Sequence, residues 1–233
     1  MKTLYPLLLL LMAGFFFSCD VEDPGPLQEI SREYPVIDFD HLEMGSGFHI
    51  TVTEGSTFLV RAKGDRRNIY DLEVFKEGST LRIKYDEHAN RRHETHIVIQ
   101  MPDLKGFSFS GGSVSVVEGF ESDGVLNANV SGGSLAQLNA GYRKVNLVLS
   151  GGSKFRMHGL GDELEGDISG ASVLTAFEFP VSSATLNFSG ASSGKVTVAD
   201  QLTVTASGAS TVVYRGSPSI EKNVSGESSV IAD

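Results

Sequence analysis

Val130-Ser131-Gly132-Gly133-Ser134, answered one period later by Leu149-Ser150-Gly151-Gly152-Ser153, is the stretch that decides the fold. The same Ser-Gly-small-Ser tetrad begins at Ser110, Ser131, Ser150, Ser169, Ser189, Ser207 and Ser225, at spacings of 21, 19, 19, 20, 18 and 18 residues. A period that short and steady marks a solenoid, in which each repeat is one coil stacked on the last. Working outward, the residue before the first serine is apolar in every copy: Phe109, Val130, Leu149, Ile168, Phe188, Ala206 and Val224. Two residues earlier Phe107, Ala128, Leu147, Leu186 and Val204 form a second apolar column, which Gly166 and Lys222 interrupt. Between the two stand Ser108, Asn129, Asp167, Asn187, Thr205 and Asn223, with Val148 the exception. That alternation of period two predicts strands with one face in and one face out. Beyond the tetrad, Ala136/Leu138, Phe155/Met157, Leu174/Ala176 and Val212/Tyr214 are further inward candidates.

Each coil thus reads as two short strands hinged at a corner. The corner glycines Gly111, Gly132, Gly151, Gly170, Gly190, Gly208 and Gly226 accept backbone angles that a β-carbon forbids. A small residue after each lets neighbouring coils approach to the β-spacing of ~4.8 Å, so seven coils make a rod on the order of 30 Å long. Corner serines can satisfy one another and the turn backbone. Parallel crossovers are overwhelmingly right-handed, so a right-handed parallel β-solenoid is expected over residues 104–233.

Residues 34–103 read differently. Alternating runs such as Phe48-His49-Ile50-Thr51-Val52 and Leu81-Arg82-Ile83-Lys84-Tyr85 are separated by turn signals such as Glu54-Gly55-Ser56 and Lys76-Glu77-Gly78-Ser79. This predicts an N-terminal β-sheet or sandwich-like region that continues into the solenoid, with one helical turn over 65–70. The fold class is all-β throughout.

At the N-terminus, Lys2 precedes an apolar run, Leu4 to Phe17, too short for a comfortable membrane span. Ser18-Cys19 follows, and Cys19 is the sole cysteine, so no intramolecular disulfide is available. A lone cysteine after a small residue at this position reads as a lipobox. Residues 1–18 are then a lipoprotein signal peptide, and Cys19 is the lipidated first residue of the mature chain. A plain secretory signal or an uncleaved anchor is the alternative. Residues 19–33, opening Asp20-Val21-Glu22-Asp23-Pro24 after the cysteine, read as a flexible acidic tether. Acid behind a lipidated cysteine fits surface export in some bacteria and inner-membrane retention in others; the outer membrane is the expected address, facing the surface or the periplasm.

The formal charge is −10, with 26 glycines and no tryptophan. This argues against nucleic acid, which wants a basic stripe, and excludes a tryptophan platform for sugars. The serine of Gly190-Ala191-Ser192-Ser193-Gly194 formally matches a nucleophile elbow, but no histidine follows His158 to serve as its base. His88, His93 and His96, with Glu87 or Glu94, are weak metal-ligand candidates, set in a loop where Arg91 and Arg92 would repel a cation. The acids of 159–167 occur in one coil alone, unlike the every-coil repeat of calcium-binding β-rolls. Asn129, Asn187 and Asn223 open glycosylation sequons only because the polar column stands two residues ahead of the corner serine. No catalytic residue, metal or cofactor is expected.

Gly47-Phe48-His49-Ile50-Thr51-Val52, then Gly64-Asp65 and Gly78-Ser79-Thr80-Leu81-Arg82-Ile83, leading into Ser-Gly-Gly-Ser coils, resembles the head GIN-domain family of auto-transporter adhesins over about residues 36–228. The resemblance implies a β-rich head and an adhesive role, and brings no catalytic residues. The expected function is a non-enzymatic, lipid-anchored envelope protein. Its solenoid binds a protein or glycan through the outward column Ser108, Asn129, Asp167, Asn187, Thr205 and Asn223. The alternatives are a carbohydrate-active β-helix enzyme of the lyase type, for which Lys154, Arg156 and Lys195 are the available bases, and a structural or envelope-sensing module. The oligomeric state is open, because a terminal coil near 228–233 offers an edge for pairing.

Overall fold

The chain is described by a computed structural model over residues 25–87 and 91–233. In chain order the elements are β1 (Glu29–Glu33), β2 (His41–Met44), β3 (His49–Glu54), β4 (Leu59–Asp65), the helical turn α1 (Arg66–Tyr70), β5 (Leu72–Glu77), β6 (Thr80–Tyr85) and β7 (Thr95–Met101). Then follow β8 (Gly106–Phe109), β9 (Val114–Val130), β10 (Leu135–Leu149), β11 (Lys154–His158), β12 (Gly161–Ile168), β13 (Val173–Phe188), β14 (Ser193–Ala206), β15 (Thr211–Arg215), β16 (Ser219–Val224) and β17 (Ser229–Ala232). The long strands β9, β10, β13 and β14 each run through a bend, marked by register shifts such as those at Asn139/Gly141 and Ala176/Val181. Each therefore leaves one corner as the departing arm of a coil and reaches the next corner as an arriving arm.

Arriving arms stack in parallel from β8 through the second halves of β9 and β10, β12, the second halves of β13 and β14, to β16. Departing arms stack likewise through β9, β10, β11, β13, β14, β15 and β17. The β-solenoid expected from the period is the fold observed. The two inward columns of each arm fill its interior: Phe107, Phe109, Ala128, Val130, Leu147, Leu149, Leu186 and Phe188 are all at most 4% exposed. Each large side chain among them is worth about 1.5–3 kcal/mol of burial.

The N-terminal strands continue directly into this stack, for β2 pairs in parallel with β8, and β3 with β9. The β2–β3 coil is itself sandwiched, because β6 pairs with the far side of β2 and β7 with the far side of β3. Two further coils thus extend the stack, sharing one continuous core that runs from Phe39 to Val230. Antiparallel β5 on β6, and β4 then β1 on β7, close this end. The corner of the β2–β3 coil lacks the terminal serines of the tetrad. Gly45-Ser46-Gly47 places Ser46 and Gly47 at φ 63° and 70°, beside Gly111 and Gly112 at 64° and 78°. The helical turn forms as read, with the Asp65 carboxylate accepting the Arg67 N–H as N-cap.

The tether expected over 19–33 also needs correction at its end. Glu29–Glu33 is strand β1, held by Arg61 to Glu33 at 2.6 Å, by Lys63 to Glu29 at 3.1 Å, and by the Gln28 N–H donating to Asp65 at 2.9 Å. Residues 1–18, Cys19 and the tether's first residues lie outside the described residues.

Candidate functional site

The tetrads sort into two corner types. In the Gly-Gly corners both glycines have positive φ, as at Gly132 (66°) and Gly133 (77°), the signature of a type I′ turn. In the Gly-Ala corners only the glycine does, as at Gly170, Gly190 and Gly208, which is the signature of type II′. The second serine of each of the first six tetrads is at most 1% exposed. Except at Ser172, its hydroxyl donates back to the carbonyl of the first serine, at 2.6 Å for Ser113, 2.7 Å for Ser134 and 2.9 Å for Ser192. In Ser134 and Ser153 the same oxygen accepts an N–H from the preceding coil, from Ser113 and from Ser134 respectively, both at 3.2 Å. These serines are interior struts, and Ser192 of the elbow-like match is one of them.

The polar column is where the register places it. Ser108 lies beside Asn129, Asn129 beside Val148, Val148 beside Asp167, and Asp167 beside Asn187; Thr205 and Asn223 continue the row. Asn129, Asp167, Asn187, Thr205 and Asn223 are exposed, and the Asn187 amide donates to Asp167 at 2.9 Å. Two members escape sequence reading, since the N-terminal corner carries no tetrad: Glu43 stands beside Ser108, and Arg82 beside Glu43. A second outward row runs parallel to the first through Thr80, His41, Gly106, Asn127, Asn146 and Glu165.

Where the rows cross β8 they dip. Gly106 and Ser108 are small, while His41 and Glu43 on one side and Asn127 and Asn129 on the other stand taller, leaving a groove of about 310 Å³. A β-carbon on Gly106 would sit 2.8 Å from the His41 ring, so glycine is what allows the imidazole to lie across this rung. The ring is fixed by Asp40, whose Oδ1 is 2.7 Å from His41 Nδ1 and whose Oδ2 accepts from Lys105 at 2.8 Å. Burial pushes the Asp40 carboxyl up, but hydrogen bonds with Lys105, His41 and Ser79 outweigh it and hold the group well below the usual carboxylate range. Asn146 donates to Asn127 at 2.9 Å, and its own Oδ1 is shielded from solvent with no partner.

Of the three loop histidines, the described His93 and His96 are turned to different partners. His88 lies outside the described residues. His93 Nε2 faces the Gly25 carbonyl at 3.2 Å, while His96 stacks beside His49 on the next coil, with ring centroids 5.1 Å apart. Glu94 lies between that pair, 3.5 Å from His49 and 3.6 Å from His96. Among the described residues, no three His, Cys, Asp or Glu side chains gather as a metal site. In the acid run over 159–167, Glu163 and Glu165 are ion-paired to Lys144. Lys154, Arg156 and Lys195 sit on departing arms and take part in no ion pair with a carboxylate among the described residues; Lys195 lies over the Phe177 ring.

Set beside known proteins, residues 38–218 match the family model described as "Putative auto-transporter adhesin, head GIN domain". The chain belongs to that family. No curated protein matches it significantly. Solved structures do. A putative adhesin from Bacteroides fragilis is 20% identical, with 88% of this chain and 96% of that one covered at a TM-score of 0.75. A putative adhesin from Parabacteroides distasonis is 14% identical, covering 90% and 98% at 0.74. From the same species, a protein described as a putative lipid binding protein is 16% identical, covering 88% and 96% at 0.74. At these identities the likeness shows the fold alone. Membership in a GIN-domain family points to the cell envelope or surface, and among the described residues no helix is long and apolar enough to cross a membrane.

Proposed function

We propose that this GIN-domain chain is a non-enzymatic adhesin, lipid-anchored through Cys19 at the outer membrane. It binds a glycan or protein through the outward face of its arriving arms. The observation that carries this reading is the polar row on that face, from Ser108 through Asn129, Asp167 and Asn187 to Thr205 and Asn223, interrupted only by Val148. Its groups are mostly neutral hydroxyls and amides on a hydrogen-bonded stack, so they are presented at fixed spacing and lose little freedom when a ligand docks. The second serines of the first six corners supply nothing to such a surface, being buried in the bend.

The test is adhesion of beads coated with the full chain to epithelial monolayers and mucin, beside beads coated with an Asn187→Leu/Thr205→Leu/Asn223→Leu variant. The reading expects the coated beads to adhere, and the variant to adhere several-fold less while unfolding at the same temperature. Adhesion equal to that of uncoated beads, or unaltered in the folded variant, would contradict it.

A further inference from the structure

We propose that the groove over β8 is a subsite for one neutral sugar residue, a hexose or N-acetylhexosamine at the end of a glycan. This deepens the adhesive reading and rests on it. The inference comes from which polar groups around the groove already have partners. Every carboxylate there is matched: Asp40 by Lys105, with His41 Nδ1 in hydrogen-bond contact, and Glu43 by Arg82 at 3.1 Å. Among the residues that line the groove, what is left without a protein partner is neutral. The Ser108 hydroxyl, the Asn129 amide and His41 Nε2 make no hydrogen bond to the rest of the described chain, and the Asn146 Oδ1 acceptor is buried against the groove wall without a donor.

Size and shape agree with the chemistry. About 310 Å³ is the lower end of the range for small-ligand sites, room for one ring and not for a chain of them. Val148 is 45% exposed at one flank and supplies an apolar surface for the C–H face of a pyranose. The His41 ring supplies a flat wall, held in place by Asp40. Anionic sugars are disfavoured, because Lys105 and Arg82 are already occupied by carboxylates and Glu43 stands at the rim.

The experiment is saturation-transfer NMR and calorimetry on the full chain with glucose, galactose, N-acetylglucosamine, N-acetylgalactosamine and sialic acid as separate probes. It is repeated on Asn129→Leu, on His41→Phe and on the departing-arm control Thr211→Ala. At least one neutral sugar is expected to bind, about tenfold more weakly in each groove variant and unchanged in the control. Sialic acid is expected not to bind. Binding that survives both groove variants, a preference for sialic acid, or no sugar binding at all would overturn the subsite. If no sugar binds while the coated beads still adhere, the subsite falls and the adhesive reading stands. If a sugar binds at the groove and the beads do not adhere, the reverse holds.

Discussion

At the residue scale, two serines in equivalent positions do unequal work. Ser134 Oγ bridges two coils, donating to the Ser131 carbonyl and accepting the Ser113 N–H. Ser172 is as buried, yet its hydroxyl has no partner. It sits where the stack changes from Gly-Gly to Gly-Ala corners, so the two hydrogen-bonding patterns fail to mesh there. Ser134→Ala is therefore expected to cost about 1–3 kcal/mol and Ser172→Ala less than ~0.5 kcal/mol, as read by urea denaturation. Asp65 gives a pH-dependent counterpart. Hydrogen bonds from Arg67 first, with the Gln28 N–H assisting against the effect of burial, hold its carboxyl well below the ordinary value. A lowered folded-state pKa stabilises above the unfolded value of about 3.9, and that stability is lost as pH falls through the folded value. Asp65→Asn is expected to destabilise by about 1–3 kcal/mol near neutral pH, with the gap to wild type closing below about pH 4. A gap that stays constant down to about pH 2 would contradict this.

At the element scale, the corner type is written in its third residue. Gly152 has φ 82° and faces open space where a β-carbon would point, with no atom within 4 Å of that position. Gly152→Ala therefore meets no neighbour and suffers only the backbone penalty of about 1–2 kcal/mol. Ala171, Ala191 and Ala209, the corresponding residues of later coils, have ordinary φ. Ala191→Gly is expected to cost less than about 1 kcal/mol, the entropic penalty of glycine. Thermal unfolding of the two variants separates these outcomes. The same elements show how far sequence reading reaches. Coils from Ser110 onward are legible because tetrad, inward columns and polar row repeat together, and the one-residue offset between Phe107, Ser108 and Phe109 survives into the structure. The β2–β3 coil is not, since Gly45 and Phe48 stand where the repeat has serines. A backbone angle is shared there without the letters that usually signal it. His41 escapes for a related reason: its partners Asp40, Lys105 and Gly106 come together only when β2 stacks on β8.

At the scale of the whole molecule, the cap and the coils share one core, so residues 34–103 have no independent interior. Hydrogen exchange is expected to protect β2 and β3 as strongly as the first half of β9, to which β3 is paired. Faster opening of β2, β3 and β7 as a group would restore a separate N-terminal domain. The lipid anchor is a further expectation at this scale. Labelled palmitate should enter the chain in its native host and be lost in Cys19→Ala; incorporation that survives the substitution would remove the anchor from the account.

The central claim is that this family member binds through the outward face of its arriving arms. The measurement that bears on it most directly is adhesion of beads carrying the full chain with lysine placed on one face or the other. Asn187→Lys with Thr205→Lys alters the arriving arms, and Thr175→Lys with Val213→Lys alters the departing arms, all four positions lying on the outer side of the stack. The account predicts that the first pair abolishes adhesion and the second leaves it intact. Loss of adhesion with the second pair alone would place binding on the opposite face and contradict it.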